Sequence, residues 1–482
     1  MRRKSIGNLA YLCGALLIVL ALFLLLPIAV SAVVGDGAVR GLLISLGVMV
    51  AVGLVSIIVL GRHHSGLISQ RDSFLITAVA WIVVPIVGTL PYILTNAETN
   101  ILNALFESVS GFTTTGSSVY GNPEEIPISV LIWRSLTQWI GGLGLMLFII
   151  ATMRGLKVGS INLYGAEFSG TAQRKLHPRI STSVGYMWTV YLLFTTILIV
   201  GLASTGSNLC DAFCLALSTV STGGFVPSAK SMASLSNSGM AILTVFMFLS
   251  GVNVALLYHL IRGKGRQLLR DEEFKVYCSV YIFAVGSCIV AMILSGNDID
   301  TGITYPFFHI ASTISTCGYY LDKPVIWSQW LSATTFLLII TGASAGSTGG
   351  GIKLKRLMIL LRYVNNYFTR MIHPNAVFCV KLNGKAVQPE YTSKVFAFVF
   401  VYVVFVIVGG FVLTFCGYDI PMSLCISAAN IGNLGPSPII NSMGVGIDYA
   451  TMPALGKMVL IVLMTAGRIE IFALLSLFVV KK

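Results

Sequence analysis

Apolar residues in this chain fall neither in alternation nor along one stripe, but in blocks of about twenty separated by short polar stretches. Residues 9–32, 41–60, 74–94 and 395–415 are such blocks, and each is long enough as a helix to cross a hydrocarbon core of about 30 Å. The pattern predicts membrane-spanning helices. Between later blocks lie shorter apolar segments of about a dozen residues, around "LNALFESV", "CDAFCLAL", "YPFFHIA" and "PMSLCISA". These are too short to span and predict re-entrant half-helices.

A polar, glycine-ended run follows each half-helix: "SGFTTTG" ending at Gly116, "STVSTGG" at Gly224, "STISTCG" at Gly318 and "ANIGNLG" at Gly435. The spacing of roughly a hundred residues marks an internal repeat. Each unit reads span, half-helix, extended loop, span, with flanking spans at 74–94 and 130–152, 184–203 and 240–261, 276–294 and 327 onward, and 395–415 and 454–480. Irregular backbone at membrane depth survives only where protein buries it or water lines it. Four such loops therefore predict one shared axis. A single Thr-Gly loop would be an ordinary turn, whereas four in register form a ring in which backbone carbonyls can replace an ion's hydration shell. Glycine, lacking a Cβ, can take the conformations that turn successive carbonyls inward.

Composition agrees with that class. The chain has 482 residues, 56% hydrophobic and 10% charged, against roughly 25% charged in a soluble domain. The formal charge of +13 raises nucleic acid as a partner, but its distribution excludes that. Arg62 and Arg71, the group from Arg154 to Arg179, Arg262 to Lys275, Lys353 to Arg370, and Lys381, Lys385 and Lys394 lie in one set of loops. Glu98, Glu124, Glu125, Asp298, Asp300 and Asp322 lie in the alternate set. This is the positive-inside pattern, so the basic loops and both termini are expected on the cytoplasmic side. The first apolar block follows Arg2, Arg3 and Lys4 but is over-long for a signal peptide and has no clear cleavage site, so a retained helix is expected. Nine scattered cysteines, without C-x-x-C or zinc spacing to histidine, read as small buried hydrophobes, and His63 and His64 as loop residues.

With "TTTGS", "STGGF", "STCGY" and "NLGP" as the four loops and "IWRSLTQWIGGLGLMLF" (132–148) opening the second span of unit one, the chain resembles the TrkH/TrkG/KtrB/HKT superfamily of potassium transporters over essentially its whole length. Two extra spans within residues 1–72 match the bacterial TrkH/TrkG branch. The resemblance implies an all-α polytopic membrane protein: residues 1–72 as an N-terminal helix pair, then pore repeats at 73–165, 166–265, 266–380 and 381–482. It implies potassium-binding carbonyls at Thr114, Thr115 and Gly116; Thr222, Gly223 and Gly224; Thr316, Cys317 and Gly318; and Asn433, Leu434 and Gly435. Plant relatives with serine at the first glycine are associated with sodium permeation, so Gly116 favours potassium. The fourth loop departs in composition, which implies a less regular filter. The resemblance further implies a homodimer in the bacterial inner membrane, contact with lipid, no covalent cofactor, and a cytosolic TrkA-type regulator that alone binds nucleotide.

A helix over 327–370 would be about 66 Å long, twice the core thickness. Its middle, "TGASAGSTGGGIK" (341–353), loses helix propensity, and Ile352 breaks any phosphate-loop order. By resemblance 341–352 is an intramembrane gating loop, with Gly346, Gly349, Gly350 and Gly351 its flexible positions. Arg468 lies deep in the last span, where an unpartnered charge costs about 2.5–3.5 kcal/mol. The resemblance has it contact that loop as a positive barrier, and a structural Arg bonded to helix carbonyls is the alternative. Glu470 projects from another side. Glu107 and Arg134 are expected to form a structural ion pair. The expected function is gated potassium uptake. A proton- or sodium-coupled secondary transporter is the alternative, although intramembrane acids are few and the repeats run in one direction. No nucleophile, base and metal set points to an enzyme or receptor.

Overall fold

The computed structural model describes residues 3–63, 70–145, 180–296, 304–321, 329–373, 379–435, 447–469 and 471–475. Glu470, His64, the basic segment from Arg154 to Arg179, the boundary at 165, and Asp298, Asp300 and Asp322 lie outside the described residues. Six of the described helices are long and apolar enough to cross a membrane.

Two come first, α1 (Arg3–Val34) and α2 (Val39–Val55). Both are apolar all round, so one side of each can face lipid (Leu22, Leu25, Leu43, Val55) while Leu16, Leu24, Leu42 and Met49 are buried. A Cβ on Gly14 would stand 2.6 Å from the Gly53 carbonyl, so small residues let the two backbones touch.

Four units follow. Unit one has α3 (Gln70–Gly88) and α4 (Leu90–Leu94), the half-helix α5 (Ile101–Phe112) and α6 (Ile128–Leu143). Unit two has α7 (Ile180–Ser204), the half-helix α8 (Leu209–Val220), α9 (Asn237–Ser250), α10 (Val254–Ile261) and α11 (Gly265–Arg270). Unit three has α12 (Glu272–Leu294), the half-helix α13 (Thr304–Ile314), α14 (Gln329–Thr341) and α15 (Leu354–Ile372). A two-stranded hairpin, β1 (Lys381–Leu382) and β2 (Lys385–Ala386), leads to unit four: α16 (Pro389–Thr414), the half-helix α17 (Ile420–Ile431), α18 (Ala454–Arg468) and α19 (Phe472–Leu475). The fold is all-α and membrane-spanning, with four repeats behind an N-terminal pair.

Two of the half-helices start on side-chain caps: Asn100 accepts from the N–H groups of Leu102 and Asn103, and Asn208 from that of Cys210.

The second spans of units one, two and four differ from the continuous helices expected from hydropathy. α6 stops at Leu143, with Gly144 at φ +91. α9 and α10 meet at 113°. α18 stops at Arg468, and Ile471 is at φ +28. In unit three the break at 342–353, expected from helix length, is present. The bend between α9 and α10 has a local cause. The N–H of Ser344 donates to the Gly251 carbonyl (3.0 Å), Asn253 Nδ2 to the Ala345 carbonyl (2.7 Å), and the N–H of Val254 to the Gly346 carbonyl (3.0 Å). The loop from unit three thus takes up groups that a continuous helix would have paired internally.

Candidate ion pathway and its obstruction

The four half-helices end in the same way. Thr113, Ser221, Ser315 and Gly432 bond back four residues. Then the N–H of Thr114, Thr222, Thr316 and Asn433 reaches three residues back, and that of Thr115, Gly223, Cys317 and Leu434 five residues back, to Ser110, Ser218, Ser312 and Ala429, at 2.7 to 2.9 Å. This is the Schellman termination, which needs a left-handed residue just past the helix. Three threonines and an asparagine supply it: Thr114 at φ 55, Thr222 at 58, Thr316 at 61 and Asn433 at 51. A β-branched residue there costs about 1–2 kcal/mol. The sequence spends stability three times over at positions where glycine would have been free of strain.

Two residues on, Gly116, Gly224, Gly318 and Gly435 have φ of 85, 76, 83 and 74. A left-handed residue on either side of a right-handed one aims successive carbonyls to one side of the strand. The four glycines then interlock. A Cβ on Gly116 would lie under 3.0 Å from the Gly223 carbonyl, one on Gly224 from that of Cys317, one on Gly318 from that of Leu434, and one on Gly435 from that of Thr115. The contacts run from unit one to two, two to three, three to four and four to one, a closed ring in chain order.

Side chains brace the ring from behind. Asn433 Nδ2 donates to Thr115 Oγ1 (3.0 Å) and to the Met464 carbonyl (2.9 Å), so the residue that departs from the threonine pattern ties loop four to loop one and to α18. Ser117 Oγ donates to Asn430 Oδ1 (2.9 Å) in α17. Arg134 Nε pairs with Glu107 Oε1 at 2.7 Å, with both side chains at most 2% exposed. Glu107 also accepts from Ser118 Oγ and the Val119 N–H, while Arg134 reaches the Val226 carbonyl and stacks on Phe225, 4.0 Å from its ring. The pair therefore clamps the outgoing strands of loops one and two as well as α5. Glu124, at the outer surface, accepts from the Ala229 N–H at 2.9 Å, which holds its carboxyl below the usual carboxylate range.

Gln138, in α6, had no role assigned from sequence. Its Nε2 donates to the Gly223 carbonyl (2.6 Å) and its Oε1 accepts from the Phe225 N–H (3.2 Å). The signal was present: an amide inside an apolar helix seldom stays without a partner.

Residues 342–350 are buried directly beneath the ring. The Gly350 N–H donates to Thr316 Oγ1 (2.8 Å), a Cβ on Gly350 would overlap the Gly432 carbonyl, and Thr348 Oγ1 reaches the Val220 and Ser250 carbonyls (3.2 and 3.3 Å). Gly346 packs on Asn253 and Gly349 on Ser315, while Gly351 folds against Gly342. Arg468 contacts both the loop and helix carbonyls: Nη1 donates to Thr114 Oγ1 (3.1 Å) and the Thr348 carbonyl (2.8 Å), and Nη2 to the carbonyls of Gly141 (2.6 Å) and Gly142 (2.7 Å). A cavity of about 40 Å³ lies among Ser347, Gly349, Lys353, Asn433 and Arg468, room for only a water or two. The arrangement can dehydrate a cation above and block it below.

A family model described as TrkH, a cation transport protein, matches residues 44–482. The Trk system potassium uptake protein TrkH of Salmonella typhimurium is 31% identical over 473 residues, covering 96% of each chain. The Trk system potassium uptake protein TrkG of Escherichia coli is 29% identical over 492 residues, covering 99% of each. The crystal structure of the potassium transporter TrkH from Vibrio parahaemolyticus superposes with a TM-score of 0.86 at 27% identity, covering 100% of this chain and 99% of that one.

Proposed function

The chain belongs to the TrkH family of cation transport proteins, and on that premise we propose that it takes up potassium through the four-loop ring, with residues 341–352 and Arg468 as its gate. The observation that carries the reading is the interlock of Gly116, Gly224, Gly318 and Gly435 with the next unit's carbonyls. That ring leaves the oxygens of Thr114 to Gly116 and their counterparts as substitutes for hydration water, with Gly223 further held by Gln138. Its tightness and its bracing from behind favour one ion size. The Schellman-terminated half-helices place their negative ends at the inner side of the ring, favourable for a cation.

Below, the guanidinium of Arg468 sets a positive charge on the ion's path, and it lines, with the packed loop, a cavity of only about 40 Å³. Opening requires the loop to leave Thr316 and Thr348 to leave α8 and α9. The basic loops and the terminal lysines favour a cytoplasmic location of both termini in a bacterial inner membrane. In this reading the protein works as a homodimer in lipid, and a cytosolic TrkA-type partner binds the nucleotide and moves the loop. This chain carries the ion and catalyses no reaction.

Rubidium-86 uptake into proteoliposomes, with potassium and sodium as competitors, tests the reading. A potassium gradient alone should drive uptake, and potassium should compete better than sodium. Uptake that appears only when a proton or sodium gradient is imposed would overturn it in favour of a coupled secondary transporter.

A further inference from the structure

Three consecutive acids open α12, and each is committed to a different partner. Asp271 Oδ1 caps the helix, accepting from the N–H groups of Glu273 (3.0 Å) and Phe274 (3.2 Å), and its Oδ2 accepts from Asn383 Nδ2 (3.0 Å). The Glu272 N–H donates to Asn383 Oδ1 (2.9 Å), and its carboxylate pairs with Arg362 Nη1 of α15 (2.8 Å). Glu273 turns inward, 8% exposed, and its Oε1 accepts the N–H of Ala345 at 2.5 Å. Ala345 lies in the middle of the loop beneath the ring.

Asn383 is no ordinary surface residue. With Gly384 it forms the tip between β1 and β2, at φ 50 and 73, the two left-handed positions that an Asn-Gly hairpin turn requires. The turn therefore presents its amide in one orientation, and that amide takes the Asp271 carboxylate and the Glu272 N–H together. The hairpin is fixed at its base: Leu382 packs on Ile359, Val380 and Val395, and Arg362 bonds the Lys381 carbonyl. It thus touches α15, which leaves the loop at one end, and α12, which holds the loop's middle. A buried backbone N–H left without an acceptor is costly, and Glu273 Oε1 is the acceptor for that of Ala345.

We infer that Glu273 is a positioning residue that holds the intramembrane loop beneath the ring, and that the hairpin tip at Asn383 sets the place of Glu273, so that displacing the hairpin releases Ala345. The inference rests on the reading of 341–352 as the gate. Nothing in a filter requires this linkage. It joins a surface element on the side of the basic loops to the obstruction through two side chains in series.

The test uses the full chain in proteoliposomes, with rubidium-86 uptake as the readout and a deletion within 346–351 as the direct probe of the gate. Glu273→Ala should raise uptake about tenfold, the effect of losing one buried hydrogen bond. Glu273→Gln keeps an acceptor oxygen and should return uptake most of the way to the parent value, a rescue that a merely space-filling role would not need. Asn383→Ala should raise uptake by less, and the double variant should match Glu273→Ala alone, because both act on one tie. If the deletion raises uptake while Glu273→Ala leaves it unchanged, the linkage is wrong and the gate stands. If the two single effects multiply, the hairpin does not act through Glu273. If the deletion itself changes nothing, the gate reading fails and this inference with it. Should Glu273→Ala not fold, Asn383→Ala at the half-buried tip must still raise uptake, and an unchanged value there overturns the proposal.

Discussion

A serine at Gly116 tests the proposed ring at one of its four joints. The new Cβ would stand under 3.0 Å from the Gly223 carbonyl, at a φ of +85. A left-handed conformation costs an L-residue about 1–2 kcal/mol, and interiors this dense have no slack to absorb the overlap. The oxygen must retreat toward the 3.4 Å at which ordinary contact begins, by roughly one ångström. It cannot do so without disturbing its 2.6 Å bond from Gln138 Nε2. One carbonyl in four at that level then no longer fits a potassium ion, and the ring discriminates less against a smaller, more strongly hydrated one. A change of about 1.4 kcal/mol in the difference between the two ions, an ordinary effect for one charged contact, is a tenfold fall in potassium over sodium preference. The assay is rubidium-86 uptake titrated with each competitor. Gly121→Ser is the control, since a Cβ there meets nothing within 4 Å. Folded Gly116→Ser protein with the parent's competition curves would refute the ring as the seat of selectivity. Serine at Gly224, Gly318 or Gly435 should act in the same direction, because each meets the same overlap with the next unit.

Three further outcomes follow from the contacts around that ring. Arg468→Ala should raise rubidium uptake about tenfold or more, since it removes both the positive charge and the bond to the Thr348 carbonyl; lower uptake by folded protein would contradict the barrier. Glu107→Ala strands the Arg134 guanidinium, 1% exposed, and should cost about 3–5 kcal/mol, read as a large drop in melting temperature of the purified protein, with an unchanged melting point arguing against the clamp. Gln138→Ala leaves the Gly223 carbonyl and the Phe225 N–H without this partner, a penalty of about 1–3 kcal/mol, and should lower potassium over sodium preference in the competition assay; a loss of stability alone would place Gln138 outside the selectivity mechanism.

The repeat was readable because it rests on local sequence: a half-helix and a glycine recur four times, three of them with a hydroxyl-rich stop between, and each copy carries its own turn chemistry. The breaks in the second helices of units one, two and four were not readable. Only isolated polar residues (Ser250 and Asn253 in unit two, Arg468 and Glu470 in unit four) interrupt the apolar runs there, and what interrupts α9 and α10 is the backbone of residues 344–346, distant in the chain. Asn253, which bonds that backbone, looks in sequence like one polar residue in a span. The Asn383-Gly384 pair, by contrast, is a local hairpin signal, weakened by flanking strands of only two residues each. Gln138 and Glu273 belong to a third kind: their residue types announced that a partner was needed, and only the fold says which.

The burial of Arg468 ties these features together. α6 stops at Leu143, so the Gly141 and Gly142 carbonyls lie at the negative end of a helix, with Gly141 also accepting the Gly144 N–H. Arg468 Nη2 takes both, at 2.6 and 2.7 Å, while Nη1 takes Thr348 of the loop and Thr114 at the foot of the ring. Without acceptors the charge would cost about 2.5–3.5 kcal/mol at membrane depth. Two of the four acceptors exist because a helix is broken, and one because the loop is in place. Withdrawing the loop removes only the Thr348 carbonyl from this set, and a hydrogen bond to a charged group is worth about 1.5–3 kcal/mol, or roughly ten- to a hundredfold in population. The proposed closed state is thus held at this contact by an amount that a bound partner can overcome, while the two α6 carbonyls keep the arginine in place when the loop moves. An arginine anchored to the scaffold and only lightly bonded to the loop can serve as a fixed latch plate, and the loop is the part that travels.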